Sequence, residues 1–122
     1  MSRYALGLDY GTNSCRSLLV DLDNGEELGS AVFPYPSGQM GILTDPSDPH
    51  VARQNPQDYL DGMVAIVRGA LEQASERRPG FAANDVIGLG IDTTGSTPIP
   101  VDAAGTPLAL KPEFRDNLNA YV

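Results

Sequence analysis

Leu6-Gly7-Leu8-Asp9-Tyr10-Gly11-Thr12-Asn13-Ser14-Cys15-Arg16-Ser17-Leu18-Leu19-Val20-Asp21 is the stretch that decides the fold. An apolar strand runs into an aspartate, a Gly-Thr turn follows, and a second apolar strand leaves it. Tyr4 to Asp9 is nearly continuous in apolar residues, as expected of a buried central strand. Asp23-Asn24-Gly25 is a hairpin turn signal, and Glu27 to Tyr35 reads as a third strand. Three strands joined by two tight turns predict an antiparallel meander.

Outward from this meander the chain changes character. Residues 34 to 56 carry Pro34, Pro36, Pro46, Pro49 and Pro56, and they read as a long irregular loop. Such loops are usually functional or disordered, and this one is placed to cover a cleft beside the sheet. A helix begins at Asn55-Pro56-Gln57-Asp58, with Asn55 as cap, Pro56 in the first helical position and Asp58 in the first turn. Leu60, Met63, Val64, Val67, Ala70, Leu71 and Ala74 recur at helical spacing and predict the core-facing stripe. Arg77-Arg78-Pro79-Gly80 ends the helix. Asp85 to Asp92 reads as a second buried strand, opened by Gly88 and Gly90. Pro98 to Val101 and Thr106 to Leu110 read as a small hairpin, and Lys111 to Val122 shows no period. The order β-β-β, loop, α, β, hairpin predicts an α/β fold with a helix packed on a mixed sheet.

Composition narrows the classes of function. The chain has 122 residues and a formal net charge of −8. That acidity argues against a nucleic-acid surface and against an anionic membrane. No apolar run approaches the roughly 20 residues of a membrane helix, and the start of the chain does not read as a signal peptide. The single cysteine, Cys15, allows no internal disulfide, and a cytoplasmic location is the expectation. His50 is the only histidine, so no Cys/His metal cluster and no Ser/His/Asp arrangement stands out, and there is no P-loop motif.

Two stretches carry candidate chemistry. A carboxylate at the end of an apolar strand is costly unless it meets a cation or donors. At Asp9, a Mg²⁺ ion and a phosphate would supply both. The amides of Gly11, Thr12 and Asn13 are candidates for an anion-binding concavity, and Arg16 is placed to reach the same phosphate. A hairpin in which Asp9 simply bonds its own turn explains the same spacing. The second stretch, Asp92-Thr93-Thr94-Gly95-Ser96-Thr97, again puts a polar turn after an apolar strand. That is the usual position of ligand sites in α/β sheets, and hydroxyls with bare backbone suit a polyhydroxylated ligand. A plain threonine-rich turn is the simpler reading of those residues alone.

Taken together these residues resemble a known family. Gly7 to Ser14 is similar to the first phosphate motif of the actin/hexokinase/Hsp70 superfamily, and Arg16 narrows the resemblance to the FGGY carbohydrate kinases. Tyr35 with its following loop, Asn55-Pro56-Gln57-Asp58-Tyr59, Gly90 to Pro98 and Ala109 to Phe114 resemble the ribulose-phosphorylating branch. The resemblance runs over essentially the whole chain. It implies a ribonuclease-H-like, actin-like ATPase fold in which residues 1–122 form the N-terminal part of the first of two domains. It also implies ATP-dependent phosphorylation of a ketopentose such as ribulose on its terminal hydroxyl, with ATP and Mg²⁺, in arabinose catabolism, by a homo-oligomeric parent protein. Asp9 would organise Mg²⁺ through water, Gly11, Thr12, Asn13 and Arg16 would face the transferred phosphate, and Thr94, Gly95 and Ser96 would border the sugar. Thr94 and Gly95 stand where glycerol kinases carry an Arg-Glu pair that grips substrate, which argues against glycerol. The sequence ends before the expected Leu-Trp-x-Asp-His segment. No catalytic residue is expected within it, because the family's catalytic base belongs to the second domain. The other readings are a kinase for xylulose or ribitol, or a non-catalytic actin-like nucleotide-binding domain.

Overall fold

The computed structural model describes residues 2–122. The meander forms as read: β1 (Tyr4–Tyr10), β2 (Ser14–Asp21) and β3 (Glu27–Pro34) are consecutive antiparallel neighbours. The helix α1 (Pro56–Arg77) follows, and β6 (Val86–Thr93) then returns alongside β1 in the parallel sense. The sheet order is β3-β2-β1-β6, so β1 is central and β6 forms an edge. Tyr4, Leu6, Leu8 and Tyr10 alternate onto the covered face, while Gly7 and Asp9 stay exposed on the other. The apolar run of β1 is therefore covered on one face only.

Helix α1 begins and ends where the sequence signals place it. Asn55 caps it by accepting the Gln57 amide at 3.0 Å, and Gly80 follows its end in the left-handed region (φ 84°). Its buried face differs from the expected stripe. Gly62, Ile66, Ala70 and Ala74 are buried, whereas Leu60, Met63 and Val64 are exposed. The cause is close packing of small residues on β2 and β3. A Cβ on Gly29 would stand 2.1 Å from the Ala70 carbonyl oxygen, and one on Gly62 would stand 2.5 Å from Cys15 Sγ. A helix seated this near the sheet must turn its narrowest face inward, so the larger Leu60, Met63 and Val64 lie at its flank. Ser17 marks the same closeness: buried on β2, it donates its hydroxyl to the Ile66 carbonyl at 2.7 Å.

Three further expectations are corrected. Residues 34 to 56 are not irregular throughout, because β4 (Leu43–Asp45) and β5 (Asp48–Arg53) form a hairpin of their own. Pro49 fits there because a two-stranded ladder has free outer edges. β6 is exposed rather than buried. Its Ile87, Leu89 and Ile91 stand 62%, 56% and 53% accessible, because α1 covers β2 and β3 and stops short of the β6 edge. The small C-terminal hairpin reduces to one bridge between Val101 and Pro107, and Leu108–Leu110 forms a single 3-10 turn. Beyond it Ala109, Ala120 and Tyr121 gather with Leu43 and Phe114 into a satellite cluster.

Three ion pairs fix the periphery. Arg78, just beyond α1, bonds both Asp21 and Glu26 at the far end of the β2–β3 hairpin. The Asp23 backbone amide and then Arg78 hold the Asp21 carboxyl below its usual range. Lys111 reaches Asp102 at 2.6 Å and ties the C-terminal segment together.

Candidate functional site

The parallel register of β1 and β6 sets Asp9 opposite Asp92 and Tyr10 opposite Thr93. The two stretches singled out in the sequence thus leave the same edge of the sheet side by side. Asp9, Arg16 and Asp92 share a trough of about 640 Å³ on the open face, floored by Gly7 and Gly90. Arg16 Nε lies 3.8 Å from Asp9 Oδ2 with both side chains more than half exposed, so this pair contributes little to stability.

The turn after Asp9 is closed by the Gly11 amide, which donates to the Ser14 carbonyl at 2.9 Å. Gly11's amide is therefore engaged within the turn, while those of Thr12 and Asn13 make no hydrogen bond among the described residues. The segment after β3 holds the turn from outside. Tyr35 donates its amide to the Asn13 carbonyl at 3.0 Å, and Asn13 Nδ2 donates to the Met40 carbonyl at 2.7 Å. Gln54 Nε2 donates to the Thr12 carbonyl at 2.6 Å. That segment is itself pinned to α1, because the buried Asp58 accepts both the amide and the hydroxyl of Ser37.

The second turn is held only by itself. Thr97 Oγ1 bonds the Thr94 carbonyl at 3.2 Å and the Thr94 hydroxyl at 3.0 Å, and Ser96 sits in the left-handed region (φ 56°). Thr94 borders a separate hollow of about 300 Å³ on the helix side of the sheet, with Gly11, Tyr10, Tyr59, Leu60 and Met63. Gly95 and Ser96 line neither hollow.

The sequence did not reveal the aromatic row behind the turn. Tyr10 and Tyr35 each pack edge-on against Tyr59, with ring centres 5.7 and 5.6 Å away. Tyr10 donates its hydroxyl to the Tyr59 carbonyl at 3.0 Å, and Tyr59 donates its own to Gln54 Oε1. Burial raises the pKa of all three phenols, so they remain protonated at neutral pH. Nothing in the spacing of three scattered tyrosines signals their meeting.

The donors present suit a hard cation. No group of three or more His, Cys, Asp or Glu residues gathers among the described residues. Asp9 is instead a half-exposed carboxylate opening on the trough beside Asp92. That fits Mg²⁺, which takes one or two carboxylates and keeps several waters.

No family model matches the chain. It is 42% identical over 118 residues to a ribulokinase of Vibrio parahaemolyticus, covering 97% of this chain and 20% of that protein. It is 41% identical over 124 residues to a ribulokinase of Geobacillus thermodenitrificans, covering 98% and 21%. Its backbone superposes on the crystal structure of a xyloylose kinase from Brucella ovis with a TM-score of 0.66 at 20% identity, over 84% of this chain and 19% of that one. The fold is thus that of the ribonuclease-H-like, actin-like sugar kinases, and over the stretch it spans the chain is similar in sequence to ribulokinases, which are FGGY carbohydrate kinases. It spans about a fifth of their length.

Proposed function

We propose that the chain is the N-terminal part of the first domain of an ATP-dependent kinase that phosphorylates ribulose on its terminal hydroxyl. The observation that carries this is the β1–β6 register, which sets Asp9 and its turn directly beside Asp92 and the hydroxyl-rich turn. Phosphoryl transfer depends mainly on positioning and charge neutralisation. Asp9 would hold Mg²⁺ through water, and the ion, when bound, supplies positive charge against the phosphates. The amides of Thr12 and Asn13 and the guanidinium of Arg16 orient the transferred group, with Gly11 shaping the turn. Thr94, Gly95 and Ser96 border the sugar. The base that takes the hydroxyl proton belongs to the remainder of the protein, consistent with a chain one fifth of its relatives' length. The proposal includes a cytoplasmic, homo-oligomeric enzyme; no helix among the described residues is long and apolar enough to cross a membrane.

The test uses the full-length protein with ATP and a panel of ribulose, xylulose and ribitol. Ribulose should give the highest kcat/KM. Asp9→Asn should lower kcat about a hundredfold or more and leave ribulose affinity within about twofold. A preference for another sugar overturns the substrate, and equal loss of sugar affinity overturns the role of Asp9.

A further inference from the structure

Gln54 is joined to three parts of the molecule at once. Its side-chain Nε2 donates to the Thr12 carbonyl at 2.6 Å, and its Oε1 accepts the Tyr59 hydroxyl. Its backbone pairs in both directions with Val122, at 2.9 and 3.0 Å. The orientation of the amide follows from chemistry. A carbonyl oxygen only accepts, so the nitrogen must face Thr12, and the remaining oxygen takes the phenol proton. The contacts close a ring: Thr12 to Gln54, Gln54 to Tyr59, and Tyr59 through its carbonyl to the Tyr10 hydroxyl, two residues before Thr12 in the chain.

This ring fixes the plane of the peptide that joins Thr12 to Asn13. The carbonyl of that peptide belongs to Thr12 and its N–H to Asn13, and a planar peptide turns both together. A donor that holds the Thr12 oxygen on the protein side therefore aims the Asn13 N–H away from it, toward the exposed side of the turn. We infer that Gln54 is a positioning residue for phosphate binding, holding the Asn13 amide in its anion-facing orientation through the Thr12 carbonyl. The inference rests on the kinase reading of the turn. It assigns the segment between β3 and α1 the work of bracing this turn. Its contribution is directional: loss of the donor frees the peptide to rotate, and a displacement near 1 Å is enough to cost about a hundredfold in rate.

Two substitutions in the full-length protein separate this role from simple packing. Gln54→Glu keeps an acceptor for Tyr59 and removes the donor to Thr12. Gln54→Lys keeps a donor and removes the acceptor. With ribulose and MgATP, Gln54→Glu should lower kcat about ten- to a hundredfold, with ribulose affinity within about twofold. Gln54→Lys should retain kcat within about threefold. Gln73→Ala serves as a structural control, since Gln73 accepts the Ser30 amide at 2.8 Å elsewhere along α1. It should lower the unfolding midpoint and leave kcat unchanged. Full kcat in Gln54→Glu, or equal losses in the Glu and Lys variants, overturns the inference. If Gln54→Glu does not fold, Gln54→Met decides in its place: it lacks both groups and must lose kcat as the Glu variant would. Asp9→Asn measured alongside keeps the two readings distinct. Full turnover in Asp9→Asn defeats the kinase reading of the turn, whereas its loss together with full kcat in Gln54→Glu defeats only the role of Gln54.

Discussion

The turns after Asp9 and Asp92 leave neighbouring strands at matched positions, yet they are held in opposite ways. The first is bonded from outside by Tyr35, Met40 and Gln54, all supplied by the segment between β3 and α1. The second is bonded only within itself, through Thr97. A group that must meet a phosphate with directed amides gains from a preformed geometry. On the proposed reading, a turn that borders a sugar can be shaped by the sugar and by the rest of the protein. The difference is one of bracing: the first turn is held by a neighbouring segment and the second only by its own residues.

The contrast is open to direct attack. The most severe test is Gly62→Val. Its Cβ would stand 2.5 Å from Cys15 Sγ and 3.0 Å from Phe33 Cδ1, lifting the start of α1 and with it Tyr59. We expect a loss of about 3 kcal/mol in urea unfolding. Amide exchange at Gly11 and Tyr35, whose N–H groups bond within and onto the first turn, should then rise; if both stay protected, the turn is not braced through α1. Asn13→Ala removes only the bond to Met40. It should lower stability by about 1 kcal/mol in the same assay and raise exchange in the first turn alone. Acid should act elsewhere. Asp21 has a lowered pKa, so its contribution is complete above the ordinary aspartate value of 3.8 and is lost as pH falls through the lower folded value. Asp21→Asn should flatten the acid limb of a pH–stability profile without narrowing the difference between the turns. Thr97→Ala should be the mildest, within about 0.5 kcal/mol by thermal melting, because its bonds are local and exposed. A larger loss would show that the second turn is braced after all.

The meander and the limits of α1 were legible because they are written in local chemistry. Asn24-Gly25 and Asn55-Pro56 specify a turn and a cap whatever surrounds them. The buried face of α1 was legible only in part. The expected stripe includes the buried Ala70 and Ala74, but a reading weighted toward large apolar residues adds Leu60, Met63 and Val64 and passes over Gly62, which lets the helix approach the sheet. The β4–β5 hairpin was hidden by prolines that a free-edged ladder tolerates. Both polar turns of the candidate site were visible in sequence, and their adjacency was expected from the family resemblance alone, not from any local pattern. It follows from a parallel pairing made across α1, which no local pattern encodes. Gln54 was invisible for a simpler reason: it has no charge and no motif, and its importance lies only in what it touches.

The parallel pairing of β6 with β1 also has a consequence in time. Tyr4 pairs with Val86, whereas β1, β2 and β3 are sequence neighbours joined by tight turns. Contacts between distant residues require costly loop closure and form late. The meander and α1 therefore assemble first, and β6 docks onto a finished surface. Substitutions along β6 should give φ-values near zero while those in the β1–β2 hairpin approach one. Asp9 stands on the nascent sheet before Asp92 arrives opposite it, with β6 as the last strand to join.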